Sequence, residues 1–314
     1  MPLFLTDAQI AGLVSVRDAI DVLEKAFGQQ SAGQATNTPR QRLAAEGSFL
    51  HMLAGAVPGY FGYKAYATGH GTAQFKFFLF DSSTCDLLAV MEADRLGQTR
   101  TGAATGLATR LLARDDVRVA TIFGAGWQAE SQLLAMDAVR DLSSVWVVNR
   151  DSERARRFID RMSPEVRAEL KPATNPEEAV RASRLVTTIT NSREPVLPGA
   201  WVERGTHVNA AGGNMLLRSE VDAALIVASD RLVVDSIEQA RMESGDFLSA
   251  LLTGRRHWDE VRELKDVVKG WGGREGPEER TLFNSLGIGL EDVALGVFVY
   301  QRALERGVGR NIDL

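Results

Sequence analysis

Cysteine is almost absent. Of 314 residues only Cys85 carries a thiol, so no disulfide can form within the chain, which excludes a disulfide-framed scaffold and fits a reducing compartment or, equally, a secreted protein that uses no disulfides. Histidine is nearly as scarce: His51, His70, His207 and His257 lie scattered with no metal-ligand spacing, and no metal site is expected from them. No G-x-S-x-G elbow occurs, which removes that route to a nucleophilic serine. No apolar run reaches the length that a membrane span needs. The opening MPLFLTDAQI has no basic stretch ahead of a long apolar one. Excess basic charge is missing too: 36 Lys and Arg against 41 Asp and Glu give a net charge of -5, without the footprint of a nucleic-acid binder. There is no internal repeat and no low-complexity linker. The expectation is a soluble, cytoplasmic protein with neither nucleic acid nor membrane as a partner.

In bulk the rest is ordinary, with 45% apolar and 25% charged residues, and the length suffices for two domains with separate cores. Asp7 and Ser15 are placed to cap two N-terminal helices, the second running to Gly28. From Pro39 to Val90 aromatic and β-branched residues cluster in short runs (SFLHML, GYFGYKAYAT, FKFFLFD, LLAVMEA) separated by Gly and Pro, which predicts antiparallel strands with turns. TRTGAATGLATRLLAR then carries an apolar stripe at helical spacing. From Val117 strands and helices alternate: VRVATIF, AESQLLAMDAV, VWVVN, SERARRFIDRM, LVTTIT, with GTHVNAAG and ALIVASD as further strand candidates. That alternation predicts a parallel sheet covered on both faces. WGGREGPEERT reads as a mobile loop, and LEDVALGVFVYQRAL as a last helix over Leu290–Leu304. The fold class is α/β: a Rossmann-type parallel-sheet domain plus an α+β domain with antiparallel strands. Its expected bounds are 1–113 for the α+β domain, 114–289 for the parallel-sheet domain, and 290–314 for a C-terminal helix returning to the first.

VATIFGAGWQAE contains the chemistry most legible from residues alone. Gly124, Gly126 and Ala129 follow a strand and open a helix, the context in which G-x-G-x-x-A cradles a dinucleotide's pyrophosphate. Gly124 permits the tight turn, Gly126 lets the phosphates approach bare backbone, and Ala129 lets the helix sit close to the sheet. The helix N-terminus then offers free N–H groups and partial positive charge. The second strand ends at Asn149 and Arg150, where an NAD site usually carries an acid for the ribose 2′-hydroxyl. Arg150 could pair with a 2′-phosphate through two parallel hydrogen bonds, so NADPH is weakly preferred over NADH as the NAD(P) cofactor. The alternative is a solvated arginine at a helix start. Asp151 reads as the cap of the following helix.

The segments PRQR, GYKAY, MEADRLGQTRTGAATGLATRLLA, FGAGWQA, TNSREPVL, THVNAAGGN, VVDSIEQA and TLFNSLGIGLEDVA together resemble the ornithine cyclodeaminase/mu-crystallin family, from Thr6 to Tyr300. The resemblance implies a Rossmann domain, a separate domain for substrate and dimer contacts, and a homodimer. It also implies a small carboxylate-bearing substrate. Lys64 and Arg100 match the family's carboxylate clamp, with Arg42 in PRQR completing it and Arg40 as the alternative. Thr101 and Gly102 match a helix start facing the cofactor, Gln128 lies within the matched glycine loop, and Thr190 and Asn191 match the loop past the nucleotide. Asn209 to Gly213 matches the segment leading to the catalytic position, here Asn214. Ser285, Leu286 and Gly287 match the segment near the nicotinamide.

The chemistry agrees with that carry-over. Convergent cations fix a carboxylate and with it the Cα–N axis. Lys64 lies among Tyr60, Phe61, Tyr63 and Tyr66, where desolvation would lower its pKa and suit it to proton exchange. Two departures stand out. Cyclodeaminases carry an aspartate where this chain has Asn214, whose amide holds no charge. Cys85 stands in a hairpin turn where the family often has glycine. The expected activity is therefore NAD(P)H-dependent reduction of a 2-imino acid, or interconversion of an amino acid and its keto acid. The alternatives are ornithine cyclisation to proline with release of ammonia, and a non-catalytic NADP-dependent ligand-binding protein of the mu-crystallin type.

Overall fold

A computed structural model describes residues 1–69 and 71–313; His70 and Leu314 lie outside the described residues. The chain divides into two units, Met1–Arg100 with Gly287–Leu314, and Thr101–Leu286. The division at 100/101 falls inside the helix Asp94–Leu112, whereas the sequence suggested a boundary at its end. The packing explains this. From its eighth residue on, the helix belongs to the second unit, where a Cβ on Gly102 would stand 2.5 Å from Ser131 O. Thr105 Oγ1 donates to Gln132 Oε1 at 2.6 Å, and Asn209 Nδ2 to Thr109 Oγ1 at 2.9 Å.

The second unit is built on an eight-stranded sheet. In spatial order its strands are Glu169–Pro172, Ser144–Val148, Val119–Phe123, Leu185–Thr188, His207–Ala210, Thr281–Asn284, Arg231–Val234 and Val261–Glu263, all parallel to their neighbours. The chain starts at Val119–Phe123, builds outward on one side, then returns to add Leu185–Thr188 on the other. That reversal makes the carboxyl ends of these two strands a topological switch point, the general location of ligands in open α/β sheets. Leu185–Thr188 and His207–Ala210 are wholly buried, as strands covered on both faces must be.

ALIVASD is not a strand. Asp222 accepts from Leu225 N at 2.8 Å and caps the helix Ala223–Ala228; a short apolar run does not by itself distinguish strand from buried helix. The strand is the following Arg231–Val234. Within WGGREGPEERT, Arg274 donates to Leu112 O at 2.6 Å and Glu279 O at 2.7 Å.

The first unit carries a mixed sheet, with Ser48–Val57, Tyr60–Gly69, Thr72–Asp81 and Leu87–Glu92 antiparallel in sequence order and Leu3–Leu5 added parallel to Leu87–Glu92. Thr6, rather than Asp7, caps the first helix, and the helix capped by Ser15 extends to Ser31. Cys85 adopts φ 64, a left-handed turn position in which glycine would be unstrained. The helix Gly289–Arg306 lies against one face of the sheet. The approach is close because glycines meet there: a Cβ on Gly289 would fall 2.5 Å from Ala54 O, and one on Gly55 2.8 Å from Leu290 N. Period-two alternation puts Gly62, Lys64 and Tyr66 on that helix-covered face, and Lys64 is 2% exposed. The opposite face is apolar and open: Leu50, Met52 and Phe61 are exposed, and Phe61 stacks on Phe80 while Tyr63 stacks on Phe78.

Candidate functional site

In the first unit the cations of the sequence analysis meet two carboxylates. Lys64 Nζ lies 2.7 Å from Asp292 Oδ1, and Arg100 Nε lies 3.1 Å from the same oxygen. Arg100 Nη1 lies 2.9 Å from Glu291 Oε2. Glu291 and Asp292 are completely buried in the first turn of Gly289–Arg306, where the helix dipole favours negative charge. Charges this deep must be paired. Burial above all, then the Arg100 guanidinium, pushes the Lys64 pKa down to about 8 against the opposing pull of Asp292. For Arg100 burial works downward, but Asp292 and Glu291 outweigh it and raise the pKa.

Of the two PRQR arginines, Arg40 is the buried one. It donates from Nη2 to Gly287 O at 2.8 Å and from Nη1 to the Tyr66 hydroxyl at 3.3 Å. Arg42, the residue chosen from sequence, pairs in register with His51 and donates to its Nδ1 at 3.2 Å. Gly287, matched to a segment near the nicotinamide, adopts φ 73, and a Cβ there would overlap the Arg100 guanidinium. Arg100 itself sits well inside the helix Asp94–Leu112 rather than at a helix start. Of the aromatics flanking Lys64 in sequence, Tyr66 shares its face, while Phe61 and Tyr63 lie on the other by alternation.

In the second unit Gly124 adopts φ 117 at the end of its strand, and a Cβ there would overlap Ile189 O. Gly126 is extended and leads into the helix Trp127–Val139, whose first turn is capped by no side chain. Ala129 is fully buried. Asn149 Oδ1 accepts from Asp151 N at 2.9 Å, and Asp151 caps the helix Ser152–Met162. Arg150 is exposed. Arg154, not singled out by the sequence, donates from Nε to Ala125 O at 3.3 Å and so stands beside the glycine loop. Ser285 Oγ and Gln128 Oε1 are buried without a hydrogen-bond partner among the described residues. Uncapped amides, a bare glycine and two such polar atoms fit a bound dinucleotide.

Nothing in the sequence around Glu220 marks it as part of a site. It is buried, and it accepts from Thr190 N at 2.5 Å, Gly212 N at 2.6 Å and Thr188 Oγ1 at 2.9 Å. It thereby ties the loop after Leu185–Thr188 to the loop after His207–Ala210. Burial first, then Asp246, pushes its pKa up to about 7. Asn214 is half-buried in the second of these loops, and Thr101 accepts through its carbonyl from Gln132 Nε2 at 3.3 Å. Among the described residues no helix is long and apolar enough to cross a membrane, and no acid, histidine or cysteine cluster could hold a metal ion.

The model of the ornithine cyclodeaminase/mu-crystallin family matches residues 1–307. An alanine dehydrogenase of Archaeoglobus fulgidus is 34% identical over 320 residues, covering 99% of this chain and 98% of its own. A solved structure of Thermococcus litoralis Δ1-pyrroline-2-carboxylate reductase in complex with NADH and L-proline matches with a TM-score of 0.93 at 32% identity, covering 99% of this chain and 100% of that one. An archaeal alanine dehydrogenase dimer with bound NAD matches with a TM-score of 0.94 at 32% identity, covering 100% and 99%.

Proposed function

The chain belongs to the ornithine cyclodeaminase/mu-crystallin family, and from that premise we propose that it is an NAD(P)H-dependent oxidoreductase that reduces a 2-imino acid or interconverts an amino acid and its keto acid. The observation that carries this is the buried cluster of Arg40, Lys64 and Arg100 with Glu291 and Asp292. Arg40 and Arg100 hold the substrate carboxylate, and the planar guanidinium suits that task. Lys64 exchanges the proton at the substrate nitrogen. Gly124, Gly126 and Ala129 would hold the dinucleotide, which when bound would supply the hydride. Relatives named for pyrroline-2-carboxylate and alanine chemistry, with NADH or NAD bound, support the reaction class. Asn214 carries no charge with which to activate a water, which weighs against ornithine cyclisation.

The test is a panel of cyclic imine carboxylates, and of keto acids with ammonia or methylamine, followed at the nicotinamide absorbance with NADH and NADPH in parallel. Oxidation of the coenzyme by a 2-imino acid is expected. No turnover anywhere on the panel overturns the reading, and ammonia released from ornithine without net NADH consumption favours the cyclodeaminase. Arg150, with Arg154 beside the loop, favours NADPH, so its KM should be the lower; a clear NADH preference refutes that part.

The open apolar face bearing Leu50, Met52, Phe61 and Phe80 is the interface of a homodimer, supported by the dimeric relative. An apolar patch of this kind seldom stays uncovered. Light scattering should give twice the chain mass, and Phe61→Lys should shift it toward one chain mass. A monomeric wild type counts against the interface.

A further inference from the structure

We propose that Asp292 Oδ2 accepts the nitrogen-bound hydrogen of the substrate, so that the cluster recognises a zwitterion and not a bare anion. This rests on the reading of the cluster as the substrate site. The two oxygens of Asp292 are used unequally. Lys64 Nζ and Arg100 Nε both donate to Oδ1, at 2.7 Å and 3.1 Å. Oδ2 is buried and has no hydrogen-bond partner among the described residues. A buried carboxylate oxygen left bare is costly, and native proteins keep few of them. Two cations share the other oxygen, and Asp292 stands in the first turn of its helix, where the dipole favours negative charge. An oxygen of this kind calls for a donor brought in by a ligand.

Charge points the same way. Arg40, Lys64 and Arg100 face two carboxylates, Glu291 and Asp292. A simple carboxylate ligand meets cations already largely neutralised by the protein, and it leaves Oδ2 bare. A protonated imine or amine beside the same carboxylate satisfies both halves: the carboxylate at the guanidinium groups, the N–H at Oδ2. A 2-keto or 2-hydroxy acid lacks the nitrogen, so the cluster would discriminate at the reacting atom rather than at the side chain. Hydrogen bonds to charged groups are among the stronger ones, and a site built for an N–H rejects the analogue that lacks it.

The experiment compares L-proline with cyclopentanecarboxylate, which has the same ring size without the nitrogen. Both are titrated as inhibitors of wild-type turnover and of Asp292→Asn, with NADH binding measured for each protein. Wild type should bind L-proline at least about tenfold more tightly, and Asp292→Asn should close most of that gap while still binding NADH. If Asp292 only positions Lys64 and Arg100, the variant weakens both ligands alike and the gap persists, which overturns the inference. Equal binding by wild type overturns it without any variant, and decides the matter should Asp292→Asn fail to fold. Absence of turnover anywhere on the panel in wild type sinks the proposed function and this inference together, whereas turnover with an unchanged gap sinks this inference alone.

Discussion

Lys64→Ala should lower kcat by about a hundred- to ten-thousandfold and leave the NADH dissociation constant where it was. The nucleotide loop lies in the other unit, Thr101–Leu286, and Lys64 takes no part in its fold. The pH dependence sharpens the expectation. Burial and Arg100 bring the Lys64 pKa down to about 8 from an ordinary 10.5. Imine reduction needs the protonated amine, so kcat/KM in that direction should fall as pH rises through about 8. Amino-acid oxidation needs the neutral amine, so its kcat/KM should rise over the same interval. Opposite limbs at one pH mark a single acid/base, which a merely structural lysine does not produce. Stability carries the matching sign. The folded chain holds its Lys64 proton less tightly than the unfolded chain does, so between pH 8 and 10.5 this residue contributes a rise in stability as pH increases. Wild-type turnover in Lys64→Ala, or flat profiles from pH 7 to 9, removes the role assigned to Lys64.

How much of this the sequence discloses depends on what each residue shows locally. The glycine loop is legible because strand, small residues and helix follow one another within a dozen positions. Lys64 and Arg100 are legible only through family resemblance, since most lysines and arginines are solvated. Glu291 and Asp292 escape notice for a physical reason: two acids in the first turn of a helix look like ordinary dipole partners. One cue was available. LEDVALGVFVY is apolar almost all round, and acids on a buried helix must find cations. Glu220 in RSEVD reads as a surface acid; only the folded loops bring Thr190 N and Gly212 N onto it. Leu3–Leu5 is too short to announce itself as a strand, and its partner Leu87–Glu92 lies far along the chain. Arg40 and Arg42 stand two residues apart, so nothing local separates them; pairing of Arg42 opposite His51 does.

Gly124→Ala and Gly126→Ala should fail in different ways, and the contrast tests the nucleotide site. At Gly124 the backbone has φ 117, which an L side chain rarely adopts, and the added Cβ would overlap Ile189 O with Ile189 C at 3.1 Å. Ile189 has little freedom to withdraw: its N–H donates to Phe123 O at 2.9 Å, and the next residue is held by Glu220. Gly124 N is tied to Val148 O at 3.0 Å on the other side. Strain at such a position costs about 1–3 kcal/mol before the clash is counted, so Gly124→Ala should lose both thermal stability and NADH affinity. Gly126 is extended at φ -99, and its added Cβ would meet only Arg154 Nη2, at 3.3 Å, the far end of a flexible side chain. Gly126→Ala should therefore melt close to wild type. On the proposed reading it nonetheless places a methyl where the pyrophosphate would approach bare amides, and the NADH dissociation constant should rise at least about tenfold, since each 1.4 kcal/mol of lost contact is a factor of ten. A Gly126→Ala protein that binds NADH as wild type does would show that the phosphates lie elsewhere, whatever happens at Gly124.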